Sequence, residues 1–580
     1  MKTTFLVLAA FMCAFVLFAF RFSEQKNQLK KIDLTEYKKN NIVRCSPDWE
    51  ALKNWLDESD IPPIPGAGIY KWKISTKNDS AQFYFNQGIN MYYSFHIIES
   101  MASFKKAARF DPNCAMIYWA QALGYGPNIN DFGYRASPDA LDALNKAKEF
   151  SINATSMEKE LINAMSVRYT ADSADVTRAK LNQDYTDGMK KVYEKFPSNP
   201  DAQALYADAM MLQHPWDLWL VNGTPRPWTP LIRQVLEKLL ATSPMHPGAN
   251  HYYIHVMEPS PYAAKALPSA ERLGKTNPGL SHVVHMPSHI YLRTGFYQKG
   301  VDVNVTAVNS YKNSIPLYEP VTGADFLYII HNEHMKSNNA MMTGSYKTSV
   351  AAAEDVKASI PADYLSIPAP IGNIVQYINT TPTFIQLRFG KWDEILQNSK
   401  PSSEHVYANV LYHFARGIAY SRKKDREAAS AELDAMREFM KDSSLAIPMT
   451  PFSPPSVGAE VAHMLLLGVI HEDKGQLDGA IKYYKKADSI EVTMVYNEPR
   501  DWLLSPKHYL GSAYLKASKW KEAEEVYLKD LAYNNENGWS LYGLYHALTG
   551  QKKAADAAKV MVRYKKAFTN ADIKINSSAF

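Results

Sequence analysis

The stretch Val461–Ala487, VAHMLLLGVIHEDKGQLDGAIKYYKKA, decides the fold. Gly468 and Ala480 are small residues where two helices can approach closely, and Tyr484 is large enough to fill the groove between those helices. Gly475 separates the two halves of the stretch. A single helical hairpin cannot bury its apolar face alone, so neighbouring hairpins must stack against it. The stretch therefore predicts one unit of an all-helical array.

The same spacing recurs with a period of about 34 residues. The recurring positions hold small or aromatic residues in three further segments, which contain Tyr84, Gly88, Phe104, Ala107 and Pro112, then Gly511, Ala523 and Tyr527, and finally Gly538, Ala547 and Gly550. This pattern resembles the tetratricopeptide repeat, a helix–turn–helix unit of that length. The resemblance implies an all-α fold, a right-handed superhelix of helical hairpins (an α-solenoid). Four glycines are predicted to mark weaker hairpin corners in the middle of the chain: Gly295, Gly344, Gly390 and Gly417.

Two proline-rich segments, Ile61–Gly68 and Met449–Val457, interrupt the helical pattern, because consecutive prolines disfavour helix. We therefore expect an N-terminal extension over residues 23–75, a repeat array with a histidine-rich centre over 76–448, and C-terminal repeat units over 449–580. The chain has no β–α–β alternation, no glycine-rich phosphate loop and no serine elbow. Nucleotide-binding and serine-hydrolase folds are excluded on these grounds.

Residues 1–22 have the character of a targeting segment. Lys2 precedes an unbroken apolar run of sixteen residues, Phe5–Phe20, which ends at Arg21. As a helix this run spans roughly 24 Å, less than the bilayer core of about 30 Å. It therefore favours a cleaved signal peptide over a membrane anchor, although no small-residue cleavage site follows it. Both alternatives predict an exported protein of the periplasm or cell envelope, in contact with the membrane only through this segment.

Composition excludes several classes of protein. The chain of 580 residues is 46% hydrophobic, and its 64 basic and 59 acidic residues are mixed along its length, so that no basic footprint for nucleic acid exists. Its three cysteines exclude a thiolate zinc finger or an iron–sulfur protein. Cys45 and Cys114 could pair in an oxidising compartment. The equally open alternative is a free thiol at Cys45 and a buried small residue at Cys114.

Several longer motifs resemble a family of exported bacterial tetratricopeptide-repeat proteins. These motifs are Asp111–Trp119, Gly126–Asn130, His214–Trp219, Pro247–His255, His285–Tyr291, His331–His334 and Asn537–Trp539. The resemblance covers residues 80 to 580 and implies the helical superhelix. It implies no particular activity.

Nine of the sixteen histidines lie between His214 and His334. Histidines three or four residues apart share one face of a helix, and several such couples can supply the nitrogen ligands of a transition metal. The predicted metal ligands are His251, His255, His282, His285, His289, His331 and His334. Such a set suits copper, zinc, iron or nickel. Glu258 is a candidate to orient these rings or to carry protons, together with Tyr252, Tyr253 and Asp217 for orientation and His289 for proton transfer.

The opposing interpretation treats these histidines as packing residues that bond to backbone carbonyls or aromatic rings. The histidines outside the cluster, His96 and His508 among them, are expected to be ordinary core or surface residues. No complete H-E-x-x-H motif exists, so zinc-protease chemistry is not expected. If the protein is an enzyme, a redox or oxygen-activating metal site is the expected kind.

The repeat pattern itself favours a binding scaffold of the cell envelope, because stacked hairpins form extended concave surfaces. The expected occupant of that groove is a protein, a peptide or a glycan. Its predicted wall is Trp216, Trp219, Tyr252 and Tyr253. The alternative is a polyhistidine metalloprotein on the same superhelix, and a minor alternative is an accessory role in polysaccharide or nutrient uptake. The scaffold interpretation leans towards a protein without catalytic activity.

Overall fold

Every regular element in the described chain is helical, in agreement with the predicted all-α fold. The computed structural model describes residues 47–130, 134–172, 174–315 and 326–580. The helices of the first half are α1 Trp49–Glu58, α2 Asp79–Tyr93, α3 Ile97–Phe110, α4 Ala115–Gly124, α5 Pro138–Glu149, α6 Ser156–Met165, α7 Arg178–Lys195, α8 Pro200–Leu212, α9 Thr229–Thr242, α10 Pro247–Met257, α11 Leu267–Thr276, α12 Ser281–His285, α13 Pro287–Thr294 and α14 Tyr297–Ser314.

The second half continues the same architecture. Its helices are α15 Asn332–Met342, α16 Tyr346–Ala358, α17 Ile371–Asn379, α18 Thr381–Arg388, α19 Trp392–Gln397, α20 Val406–Arg422, α21 Arg426–Phe439, α22 Pro455–Asp473, α23 Leu477–Glu491, α24 Pro506–Lys516, α25 Trp520–Tyr533, α26 Gly538–Gly550 and α27 Ala554–Ala567. Short 3₁₀ turns and one π-helical turn, Phe326–His331, join some of them. Consecutive helices such as α20 and α21, or α22 and α23, pack against each other as hairpins.

Helix contacts within the hairpins follow the predicted size rule. A Cβ atom at Gly468 would lie 2.2 Å from the ring of Tyr484, so only glycine lets α22 and α23 approach at this point. The first repeat has the same arrangement, because a Cβ atom at Gly88 of α2 would lie 2.4 Å from the ring of Phe104 on α3. Tyr484 and Phe104 are both completely buried, which stabilises each hairpin through the apolar area removed from water.

Three of the four predicted glycine corners are confirmed. Gly295, Gly344 and Gly390 have φ between 66° and 82°, the left-handed conformation in which helices commonly end. The prediction for Gly417 is wrong, because this residue lies inside the seventeen-residue helix α20. Its Cα faces the Leu466 side chain of the next hairpin, so the glycine serves close helix packing and not a turn.

Prolines begin two of the helices that carry the clustered histidines, α10 and α13. Pro247 is the first residue of α10, as predicted, and that helix ends at Met257, before Pro259. Pro287 is the first residue of α13, and Met286 before it stays in right-handed helical conformation. The chain therefore runs from α12 into α13 almost as one helix, interrupted where the proline lacks its N–H.

Distant hairpins contact one another across the array. The Arg293 side chain of α13 lies 3.5 Å from the ring centre of Tyr533 at the end of α25, and Tyr297 donates to the Asn535 carbonyl at 2.7 Å. The connection between α23 and α24 reaches back to α10, since the Tyr496 hydroxyl donates to Glu258 at 2.9 Å. This connection places polar side chains beside the histidine-rich helices.

The predictions made for the N-terminal leader concern residues outside the described part. Cys13 and Cys45 lie outside it as well, and Cys114 is a buried free thiol. Within residues 47–130, 134–172, 174–315 and 326–580, no helix is both long enough and apolar enough to span a bilayer.

Candidate metal centre

Six of the seven predicted ligands converge into two groups of three. The first triad consists of His251 and His255, one turn apart on α10, and His282 on α12. The Nε2 atom of His251 lies 3.1 Å from Nε2 of His282 and 3.1 Å from Nε2 of His255. The three ligand atoms of this group all lie within 4.8 Å of one another.

The second triad consists of His285 on α12, His289 on α13 and His331 at the end of the π-helical turn. Nε2 of His285 lies 2.7 Å from Nε2 of His289 and 3.1 Å from Nε2 of His331. These ligand atoms also lie within 4.8 Å of one another. Histidines 282 and 285 are three residues apart on one short helix, yet they belong to different triads.

Hydrogen bonds on the outer sides of two of the rings, His251 and His285, fix which nitrogen carries the proton. His251 Nδ1 lies 2.7 Å from the Tyr93 carbonyl oxygen, and His285 Nδ1 lies 3.0 Å from Asn304 Oδ1. Both partners are acceptors, because the Asn304 amide nitrogen donates to a backbone carbonyl. The N–H of each imidazole therefore lies at Nδ1, and the Nε2 lone pair faces its triad, which is the orientation that a metal ligand requires.

Glu258 joins the two triads. Its Oε1 lies 2.9 Å from Nδ1 of His255, and its Oε2 lies 2.9 Å from Nδ1 of His289, although the latter approach is too oblique for a good hydrogen bond. Tyr496 donates its hydroxyl proton to the same Oε2. One carboxylate thus faces the outer nitrogen of one ring in each triad.

Burial disfavours charge on four of the six clustered imidazoles. Burial and the neighbouring histidines hold the pKa values of His251, His282, His285 and His331 well below the ordinary value of histidine. Where two lone pairs face each other, as at Nε2 of His251 and of His255, they repel, and a cation between them would turn this repulsion into attraction.

The two acidic groups beside the triads, Glu258 and Glu498, have pKa values that are shifted in opposite directions. Burial opposes charge on Glu258, but His289 and His255 hold the pKa of this carboxyl well below its ordinary value. Burial and the charge of Glu258 raise the pKa of Glu498 well above its ordinary value. Glu498 Oε1 lies 3.6 Å from Nδ1 of His289, and Glu498 forms a third compact group of possible ligands with His255 and Glu258.

Two strained aromatic residues enclose the first triad. Phe95 has φ of 55°, and its ring centre lies 4.5 Å from that of His251. Trp216 has φ of 61° and packs edge-on against His255 at 5.5 Å. A cavity of about 10 Å³, room for about one water, lies between Trp216, His255 and His214. Left-handed backbone is costly at a bulky residue, and Phe95 adopts it at the turn between α2 and α3.

The remaining predicted residues belong to neither triad. His334 is buried, its Nε2 has no hydrogen-bond partner, and its nearest aromatic neighbour is Tyr377 at 6.5 Å. Of the predicted groove wall, Tyr252, Tyr253 and Trp219 are buried in the helical core, and only Trp216 lines the small cavity beside a triad. Asp217, a predicted orienting group, forms an ion pair with Arg226 at 2.7 Å, away from the rings.

Sequence reasoning missed several groups that the structure places around the triads. They are the Tyr93 carbonyl, the ring of Phe95, Asn304, Tyr496 and Glu498. None of these residues stands in a histidine motif. No local feature of the sequence marks them, because even the Ser94–Phe95–His96 corner between α2 and α3 contains no unusual residue type.

Comparison with known proteins yields one family match. Residues 508–538, which cover most of α24 and all of α25, match the family model of the tetratricopeptide repeat. No curated protein matches the sequence. The match supports a tetratricopeptide-type repeat in this hairpin, a type of unit that commonly serves in protein interaction.

Several solved helical-repeat structures are similar over most of the chain at low identity. The human IFIT1 dimer with m7Gppp-AAAA is 13% identical, with 92% of this chain and 99% of that chain covered at a TM-score of 0.30. The yeast Tom70 structure is 11% identical, with 83% and 92% covered at a TM-score of 0.28. The P58(IPK) TPR domain is 10% identical, with 82% and 99% covered at 0.19. Superpositions this poor carry no information about ligand or partner.

Proposed function

We propose that this protein is a metalloprotein in which each histidine triad binds one transition-metal ion. The observation that carries the proposal is the convergence of three Nε2 atoms in each triad, with the outer nitrogen of His251 and of His285 facing a hydrogen-bond acceptor. In the first triad, His251 and His255 each face an acceptor with Nδ1, so both Nε2 atoms lack a proton, and packing gains nothing from two lone pairs 3.1 Å apart.

Three imidazole ligands suit copper, zinc, iron or nickel. A tetrahedral metal with three protein ligands keeps one position open for water or substrate, which is the arrangement of catalytic zinc sites and not of structural ones. The two triads therefore favour a role in chemistry over a purely structural role. Glu258 would orient one ligand of each site, and its low pKa keeps it ionised for this purpose.

Metal analysis of the full chain, purified without a histidine tag, tests this proposal. We expect two equivalents of one metal per chain, one equivalent in His251→Ala or His289→Ala, and none in the double variant. His463→Ala provides the control, because His463 is half-buried beside Glu460 and belongs to neither triad. A chain that binds no copper, zinc, iron or nickel after reconstitution would make the triads packing features.

The scaffold function has separate support in the C-terminal repeats. An open cavity of about 610 Å³ runs along α22 and α23. Met464, Ile481 and Tyr483 provide apolar lining, and the rim carries the exposed residues Lys482, Lys485 and Lys486. An apolar surface rimmed by ammonium groups suits a peptide with acidic and apolar residues, recruited partly by charge.

A fluorescently labelled acidic peptide, followed by anisotropy, tests the scaffold function. Binding should weaken when Lys482 and Lys486 are replaced by glutamine and should fall with added salt. The matched control is Lys552→Gln/Lys553→Gln, on the turn before α27. Equal binding by both double variants would contradict a peptide site on this face.

Export to the cell envelope is proposed from the leader sequence alone, through Lys2 and the apolar run Phe5–Phe20. N-terminal sequencing of the protein from fractionated cells tests it. A mature chain that begins after residue 20 supports a signal peptide, whereas an intact leader in the membrane fraction supports an anchor. A full-length chain in the cytosolic fraction contradicts both.

A further inference from the structure

A third cavity lies beside the connection that carries Tyr496 and Glu498. It encloses about 50 Å³, and its polar lining includes Arg293, Arg388, Arg500, Asn338, Tyr533 and His508. Three arginines therefore line it, whereas Glu498 is the single acidic residue on its wall. Arginine side chains are rarely buried unless they are paired with an anion.

Arg293 is 5% exposed, and its guanidinium donates hydrogen bonds to backbone carbonyls. Its Nε donates to the Glu258 carbonyl at 3.1 Å, and its two terminal nitrogens donate to the carbonyls of Ser260 and Tyr533. In the described part of the chain, no carboxylate oxygen lies within ion-pair distance of this guanidinium. Carbonyl dipoles solvate the charge but do not neutralise it.

Arg388 is 3% exposed and is also without an ion-pair partner in the described residues. One terminal nitrogen donates to the Ser578 carbonyl at 3.1 Å, and the other donates to Nδ1 of His508 at 2.7 Å. Its Nε is buried and has no hydrogen-bond partner. Burial lowers the pKa of Arg388 to about 10, in keeping with a cation that lacks a counter-charge.

The acidic groups near this wall already have ion-pair or hydrogen-bond partners. Arg500 and Lys507 share Glu491, with Arg500 at 2.6 Å. Asp530 faces His508 at 3.2 Å and also accepts from neighbouring amide and hydroxyl groups. Asp501 accepts from Asn497. The positive charges of Arg293 and Arg388 are therefore left for a group inside the cavity.

We propose that this cavity binds a small oxyanion, of the size of acetate, formate or bicarbonate, between Arg293 and Arg388. The volume fits this class, because one water needs roughly 10–15 Å³ by the same measure, so that about four heavy atoms fill the cavity. The guanidinium fork presents two parallel donors to the two oxygens of such an ion. The site does not require occupied histidine triads, so its failure and the failure of the metal proposal are distinguishable.

Saturation-transfer NMR on the full chain at constant ionic strength tests the site, with acetate compared with its neutral isostere acetamide. Both the metal-free and the metal-loaded protein are measured. We expect saturable binding of acetate with a dissociation constant of about 1 mM or lower and no saturable binding of acetamide. Acetate that fails to saturate at fifty times that concentration, or acetamide that binds equally well, would overturn the proposal.

Variants locate the binding. Arg388→Gln removes the charge and should weaken acetate binding at least tenfold, whereas Arg563→Gln, a half-exposed arginine paired with Glu536, should leave it unchanged. If Arg388→Gln does not fold, Asn338→Leu fills the cavity and keeps both arginines, and it should abolish binding. Equal affinity in a folded Arg388→Gln or Asn338→Leu variant would place the acetate elsewhere and refute the site.

Discussion

Replacement of Glu258 by glutamine tests both histidine triads with one substitution. The glutamine has nearly the same volume but no charge, and its amide offers one acceptor oxygen and one NH₂ donor. The two rings that face Glu258, His255 and His289, both present Nδ1 to it. An amide can accept from only one of them. The ring that meets the NH₂ group must offer its lone pair at Nδ1 and carry its proton at Nε2, which prevents metal binding there.

The expected loss of affinity is substantial. Removal of an outer partner of a metal-binding histidine typically costs 10–100-fold in affinity, about 1.4–2.7 kcal/mol. With metal at 100 times the wild-type dissociation constant, each occupied site stabilises the fold by about 2.7 kcal/mol. By the same relation, a site weakened 10–100-fold retains only about 1.4 to 0.4 kcal/mol.

Competitive titration against a chelator of known affinity measures the two dissociation constants, and thermal unfolding with and without metal gives the stabilisation. We expect one triad to weaken most and the other to weaken through loss of the charge. The control is Glu472→Gln, which removes another buried carboxylate, paired with Arg422 and Lys516. A folded Glu258→Gln protein whose two affinities stay within twofold of the wild type would refute the bridging role of Glu258.

Three further predictions concern stability. Gly468→Ala should destabilise the fold by about 1–3 kcal/mol, because the new methyl group clashes with Tyr484. Gly274→Ala should stabilise it by up to about 1 kcal/mol, because a methyl group there in α11 meets no atom within 4 Å. Urea unfolding of the two variants compares these effects, and equal effects would contradict the packing rule. Burial lowers the pKa of His334 to about 4 and that of His96 to about 3, so the unfolded chain takes up more protons as the pH falls below about 6.5. Each should cost about 2 kcal/mol of stability between pH 7 and 5, and a His334→Gln variant with an unchanged pH dependence of unfolding would contradict this. A strong chelator should lower the melting temperature of the metal-loaded chain, and two equivalents of metal should restore it; a melting temperature that does not respond to either would count against folded, metal-dependent triads.

The helical hairpins were predictable because their signals are local. The clash partner of Gly468 lies sixteen residues away in the same hairpin, so the spacing of small and large residues within one repeat already specifies that contact. Gly417 shows where this logic fails. A glycine allows a turn and also allows close helix packing, and only the position of Leu466 on the neighbouring hairpin decides between the two.

The histidine couples were predictable only as far as helix geometry is regular. His251 and His255 share a face of α10 and belong to one triad, as their spacing implies. His331 and His334 do not, because residues three apart on a helix differ in direction by about 60°, and His331 is the one that faces His285. A spacing of three residues from His331 was therefore not enough to place His334 in the same triad.

The sequence by itself determined the all-helical class, most of the hairpin corners and the helix that carries His251 and His255, because these depend on contacts between residues close in the chain. Only the tertiary structure decided that His282 and His285 belong to different triads, that Glu258 stands between them and that Tyr496, 238 residues further on, donates to it. The physical reason is that helical periodicity sets the direction of a side chain about its own axis. The distance between remote helices depends instead on the small rotations between hairpins, summed over the array.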